Sequence, residues 1–191
     1  MNFNLLLHEG TESIKFGMTE QEIQSILNTK PIRFKKTVAS LYDTEDYRGI
    51  CHVYYEKEED GRLVCSAIEF FKPSKVFLDN IQLMGEQKEK AKNLFISKFD
   101  DCISDVSGCK SMKHDIAFYA PKRTVESVFL ARKEYSYKRH EFNKKAFDML
   151  YPVDGAEITD PAMRRRLCPK CMQSFIAKEE DKCPNCGIPM L

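Results

Sequence analysis

Four cysteines near the C-terminus carry the one spacing in this sequence that dictates a chemistry. Cys168-Pro169-Lys170-Cys171 is followed, eleven residues later, by Cys183-Pro184-Asn185-Cys186-Gly187. Two Cys-x-x-Cys turns at this separation can face one another and offer four thiolates in a tetrahedron, the donor set of a structural zinc site. Four thiolates close the coordination sphere and leave no position for water, so the expected Zn2+ is structural. A redox pair would need a strand before it and a helix after it, and a zinc deaminase would need a His-x-Glu upstream; neither accompanies these cysteines. The segment 167–191 therefore reads as a small zinc ribbon, with Phe175 and Ile176 as its apolar centre. So short a segment buries too little apolar surface to fold alone, and metal binding must supply its folding free energy, on the order of 10 kcal/mol.

No catalytic constellation accompanies the cysteines. His8, His52, His114 and His140 stand apart in sequence, and there is no phosphate-binding glycine loop, His-Glu-x-x-His or Gly-x-Ser-x-Gly. Cys51 and His52 adjoin, but consecutive strand residues point to opposite faces and cannot serve as nucleophile and base. Acidic pairs such as Glu58-Glu59 and Asp100-Asp101 fall at expected turns. Cys51, Cys65, Cys102 and Cys109 lack ligand spacing and read as buried, reduced thiols. The reading is of a protein that is not an enzyme.

Residues suited to contact are more plentiful. Tyr42, Asp43, Glu45, Asp46 and Tyr47 cluster in one segment, and Tyr54, Tyr119 and Tyr135 fall in or beside expected strands. Tyrosine provides contact area at small entropic cost, and acids suit a basic partner. Tyr42, Asp43, Glu45, Asp46, Tyr47 and Tyr54 are thus the candidate partner-binding residues. Arg164, Arg165 and Arg166, just before the ribbon, are the alternative: a nucleic-acid contact or a regulatory adaptor. The balance of charge disfavours that alternative. Thirty basic residues face 29 acidic ones, a net charge of +1, and nonspecific nucleic-acid binding normally needs a much larger basic excess.

The elements that position these residues follow from periodicity. At 191 residues, the chain suits one domain with an appendage: a body over 1–151, a linker over 152–166 and the ribbon over 167–191. Thr19 and Glu22 form a capping box, Met18 and Ile23 a hydrophobic staple, and Ile23, Ile26 and Leu27 an apolar stripe, which predicts a helix over 19–28. Strands are expected at 32–38, 49–56 and 62–72, with 41–48 as a loop and Glu58-Glu59-Asp60-Gly61 as a hairpin turn. Ile81 to Gly85 echoes Ile14 to Met18 and leads into a second expected helix over 86–99, then strands at 102–106, 115–120 and 124–132. Phe142, Ala146, Phe147 and Leu150 predict a helix within 138–151. The fold class read from this order is α+β: two helix-plus-antiparallel-meander repeats, followed by a helix and the ribbon.

With Gly17-Met18-Thr19, Glu22-Ile23 and Ile26-Leu27 forming the entry helix, Ile14-x-Phe16 before it and a meander after it, the chain resembles the fold shared by the outer-membrane assembly lipoprotein BamE and the β-lactamase inhibitor protein. The tandem arrangement, with Ile68-Glu69-Phe70-Phe71-Lys72-Pro73-Ser74 and Tyr119-Ala120-Pro121, is similar to small bacterial immunity proteins of polymorphic toxin systems. The resemblance covers about residues 12 to 137 and implies a protein that binds and neutralises a toxin. The sequence departs from BamE in showing no lipoprotein signal, and from the inhibitor in showing neither its export signal nor its disulfides. It has no membrane segment either, so the expected location is the cytoplasm.

Overall fold

The computed structural model describes residues 1–36 and 40–135, together with the backbone of 164–167 and 174–177. The chain divides into two compact units, Met1–Arg139 and His140–Leu191. The first opens with strands β1 (Asn2–Leu6) and β2 (Gly10–Thr11), then helix α1 (Glu20–Leu27). A run of four strands follows: β3 (Ile32–Phe34), β4 (Thr44–Asp46), β5 (Cys51–Lys57) and β6 (Leu63–Phe71). Two short strands, β7 (Lys75–Leu78) and β8 (Ile81–Gln82), lead to helix α2 (Lys88–Lys98). The unit continues through β9 (Ile103–Ser104), β10 (Gly108–Ser111), β11 (Ile116–Tyr119) and β12 (Ser127–Ala131).

Two sheets result. One has four strands in the order β2-β1-β7-β8, and the other eight in the order β3-β4-β5-β6-β12-β11-β10-β9. This corrects the α+β expectation of helix-plus-meander repeats. The first described unit is mostly β, with helices of only eight and eleven residues. The expected helix within 138–151 lies outside the described residues. Two physical facts account for the difference. Asn2–Leu6 alternates polar and apolar residues, burying Phe3 and Leu5, and pairs in parallel with β7 far along the chain. Thr44–Asp46, expected as loop, is a strand because it has partners on both sides, β3 and β5.

Where local signals are strong, the elements stand as the residues imply. The Thr19 backbone N–H and hydroxyl both donate to Glu22 Oε2, at 2.7 and 2.8 Å, fixing the start of α1, which buries Ile23 and Leu27. Gly61 adopts a φ of +88° in the turn between β5 and β6, closed by the Glu58 N–H on the Arg62 carbonyl.

Register divides the large sheet into two faces, because side chains of cross-strand partners lie on the same side. Arg33, Glu45, Val53, Ile68, Leu130, Ile116 and Ser111 form one continuous row across seven strands. This face is packed. Phe3 packs at a tilt against Phe70 with 4.7 Å between ring centroids, Phe95 of α2 meets Phe118 edge-on at 4.8 Å, and Ile23, Leu27, Val76 and Leu78 complete the same core. The opposite face has its own row: Ile32, Asp46, His52, Glu69, Phe129, Ala117, Lys110 and Ile103, one residue from each strand.

The cysteine expectation also needs correction. Cys102 and Cys109 form a disulfide, brought within 6.6 Å between Cα atoms where β9 turns back along β10, while Cys51 and Cys65 are free and buried. Among the described residues no helix is long and apolar enough to cross a membrane.

In the second unit, β13 (Arg164–Leu167) and β14 (Ser174–Ala177) pair antiparallel, with Leu167 opposite Ser174. Cys168, Cys171, Cys183 and Cys186 lie outside the described residues.

Candidate functional site

The second face of the large sheet holds a groove of about 370 Å³ whose lining includes Lys36, Tyr54, Glu69, Tyr119, Phe129 and Tyr135. Glu69 lines it from near the C-terminal end of β6, the fourth of eight strands in the sheet. Tyr54 donates its hydroxyl to Glu69 Oε2 at 2.8 Å, and Ser127 donates to Oε1 at 3.2 Å. The Lys36 ammonium donates to Glu69 Oε2 and to the Tyr54 hydroxyl, and stands 5.1 Å from the centre of the Tyr54 ring. Burial on its own would raise the Glu69 carboxyl, but hydrogen bonds from Lys36, Tyr54 and Ser127 outweigh it and hold the group below the ordinary glutamate value.

Around this polar centre the face is aromatic. His52 lies between Phe34 and Phe71, at 5.0 and 4.5 Å between ring centroids, and Phe129 packs beside both Tyr54 and Tyr135. Burial, then the charge of Lys36, lowers the His52 pKa and favours its neutral form. Towards the edges the face opens: Ile32 is 64% exposed, Ile103 58% and Tyr119 49%. Gly108 is required where the groove meets β11, since a Cβ there would lie 2.1 Å from the Phe118 carbonyl oxygen.

The six expected contact residues are split between three environments. Tyr54 belongs to the groove, and Asp46 shares that face, its carboxylate 3.8 Å from His52 Nε2. Glu45 and Tyr47 are buried on the packed side. The hydroxyls of Tyr47 and Tyr55 donate to Glu45 Oε2 at 2.7 and 2.5 Å, and Arg33 Nε donates to Oε1 at 3.4 Å. Burial raises the Glu45 carboxyl, while Glu20, whose own burial also acts to raise it, is held low by Arg33. Tyr42 and Asp43 line a second recess of about 280 Å³ with Glu20, Arg33 and Tyr55. One acidic, tyrosine-rich segment thus supplies both a buried anchor and a partly exposed rim.

A third cluster joins residues that are distant in sequence. Asp100, Asp101 and His114 bring their potential ligand atoms within 4.8 Å of one another. Each is already engaged: Asp100 by Lys113 at 2.9 Å, Asp101 by the Ser111 hydroxyl and the Lys113 backbone N–H, and His114 Nδ1 by Ser111 Oγ at 2.9 Å. Ser111 is only 1% exposed, so this Ser-His-Asp grouping braces a turn and offers no accessible nucleophile. Cys51 and His52 fall on opposite faces of β5, and burial pushes the Cys51 thiol up to about 12.

Sequence reasoning missed Glu69, Lys36 and Ser127, whose meeting depends on strand register. No family model matches this chain, and no curated protein or solved structure matches it either.

Proposed function

We propose that the body of this protein is a non-catalytic protein-binding module that docks its partner on the second face of the eight-stranded sheet. The observation that carries this reading is the asymmetry of the sheet. One face is packed along its length, while the other is buried only around Tyr54, Ala67, Ala131 and Tyr135 and presents half-exposed Tyr119, Ile103 and Ile32 towards its edges. Eight strands span roughly 34 Å across the sheet, enough to bury the ~800 Å² per partner of a standard interface. Aromatic anchors around a desolvated polar centre, with a more exposed rim, match the anatomy of such interfaces. Within this class, an immunity-type protein that neutralises a toxin is the form we propose.

The four cysteines Cys168, Cys171, Cys183 and Cys186 would hold a structural zinc ion. The antiparallel pairing of β13 and β14 supports this, since the six residues joining them contain the first Cys-x-x-Cys. The metal would supply folding free energy to the short C-terminal segment.

Co-expression with the product of the adjacent gene tests the binding role. The account expects a stable complex that is lost when Ile103 and Tyr119 are both replaced by aspartate. Failure to form a complex, or a complex indifferent to both replacements, would count against it.

A further inference from the structure

The Lys36–Glu69 pair joins two unequal halves. Glu69 is fixed at mid-sheet with 17% of its side chain exposed, held by Tyr54 on β5 and Ser127 on β12. Lys36 follows the edge strand β3 and keeps 38% of its side chain exposed. The carboxylate is therefore the built element, and the ammonium is the half that can leave at lower cost.

A partner covering this face would remove the remaining water from Glu69. A carboxylate closed into an interface without a cation is strongly destabilising, so some cation must stay on it. Its surroundings suit an ammonium. Glu69 Oε2 and the Tyr54 hydroxyl converge on a single donor atom, and the Tyr54 ring flanks that atom. A point charge with three rotatable donors fits this arrangement better than the flat fork of a guanidinium.

We infer that Glu69, with Tyr54 and Ser127, is the receptor for a lysine side chain of the protein partner, and that Lys36 occupies this receptor in the unbound chain as an internal surrogate. The inference rests on the sheet face being the docking surface, and it adds the chemistry of the group that enters. Partner binding then exchanges one ammonium for another, leaving the number of charges on Glu69 unchanged.

The test uses the full chain with n-butylammonium and n-butylguanidinium as probes, followed by NMR on the Tyr54 ring and the Ser127 amide. Lys36→Met removes the surrogate but keeps an apolar stem. It is expected to bind n-butylammonium at least about tenfold more tightly than the wild type, the strength of one charge-assisted contact, and to prefer it to the guanidinium probe. Adding Glu69→Gln to Lys36→Met should abolish the gain, and adding Tyr54→Phe should reduce it severalfold, which covers the case in which the glutamine variant does not fold. No gain on Lys36→Met, a gain that survives Glu69→Gln, or a preference for guanidinium would overturn the inference. The docking reading is scored separately by the paired aspartates at Ile103 and Tyr119. If the ammonium probe fails while those aspartates still abolish the complex, the receptor falls and the docking face stands. If the probe binds while the aspartates leave the complex intact, the docking face falls.

Discussion

Arg33 and Glu45 lie directly opposite one another on β3 and β4, with Arg33 Nε 3.4 Å from Glu45 Oε1. The same guanidinium also reaches Glu20 at the start of α1, so it ties the edge of the large sheet to the helix. Glu45, 2% exposed, is the fixed end of this tie because two tyrosine hydroxyls point at its other oxygen.

Replacing Glu45 with alanine should therefore strip an acceptor from Tyr47 and Tyr55 together and leave buried donors unsatisfied. The expected loss is roughly 2–4 kcal/mol of unfolding free energy. Denaturant titration checks it. Arg33→Ala, which removes a more exposed partner, should cost distinctly less.

Acid stability follows from Glu69. Burial would raise this carboxyl above its reference value of 4.5, but Lys36, Tyr54 and Ser127 together bring it below. The folded chain therefore binds this proton more weakly than the unfolded chain. The stability linked to Glu69 is complete above that reference value and is lost as pH falls through the lowered folded value. Thermal melts between about pH 5 and pH 3 should show Glu69→Gln with a shallower decline than the wild type. Parallel declines would refute the linkage.

The Cys102–Cys109 bridge makes a chemical prediction. Alkylation of the folded, unreduced chain should leave both cysteines unlabelled, and reduction should expose them together. Cys102→Ser should cost about 2–3 kcal/mol, as expected for a short closed loop. Disulfides persist in oxidising compartments, so the bridge and the cytoplasmic expectation drawn from the sequence pull in opposite directions. Peptide mapping that finds both thiols free in protein from the native host would side with the cytoplasmic expectation.

The C-terminal cysteines predict bound metal. Elemental analysis of protein purified without chelators should find one zinc per chain, and serine at both Cys168 and Cys183 should remove it. Metal-free protein, or zinc retained after both replacements, would contradict the ribbon.

What could be read beforehand was local. The capping box of Thr19 and Glu22, the turn at Glu58 to Gly61 and the β-rich run through Ile68 to Phe71 each signal their element within a few residues. What escaped depends on partners remote in sequence. Asn2–Leu6 carries a legible alternation, yet its role as a central strand depends on β7, more than seventy residues away. Glu45 and Tyr47 looked like contact residues because acids and tyrosines in a loop are normally wetted. Their burial follows from Thr44–Asp46 being inserted between β3 and β5. Glu69 reads as an ordinary polar position in a strand. Only the register that sets Ser127 and Tyr54 against it, and delivers Lys36 from the sheet edge, makes it a site.

Hydrogen exchange on the chain alone and in complex with the adjacent gene's product is the measurement closest to the central claim. The account predicts that partner-dependent protection falls on β5, β6 and β9 to β12, whose residues line the aromatic groove, while α1 and α2 exchange as in the free chain. Protection confined to the helices and to β1 and β7, with the groove strands unchanged, would contradict it.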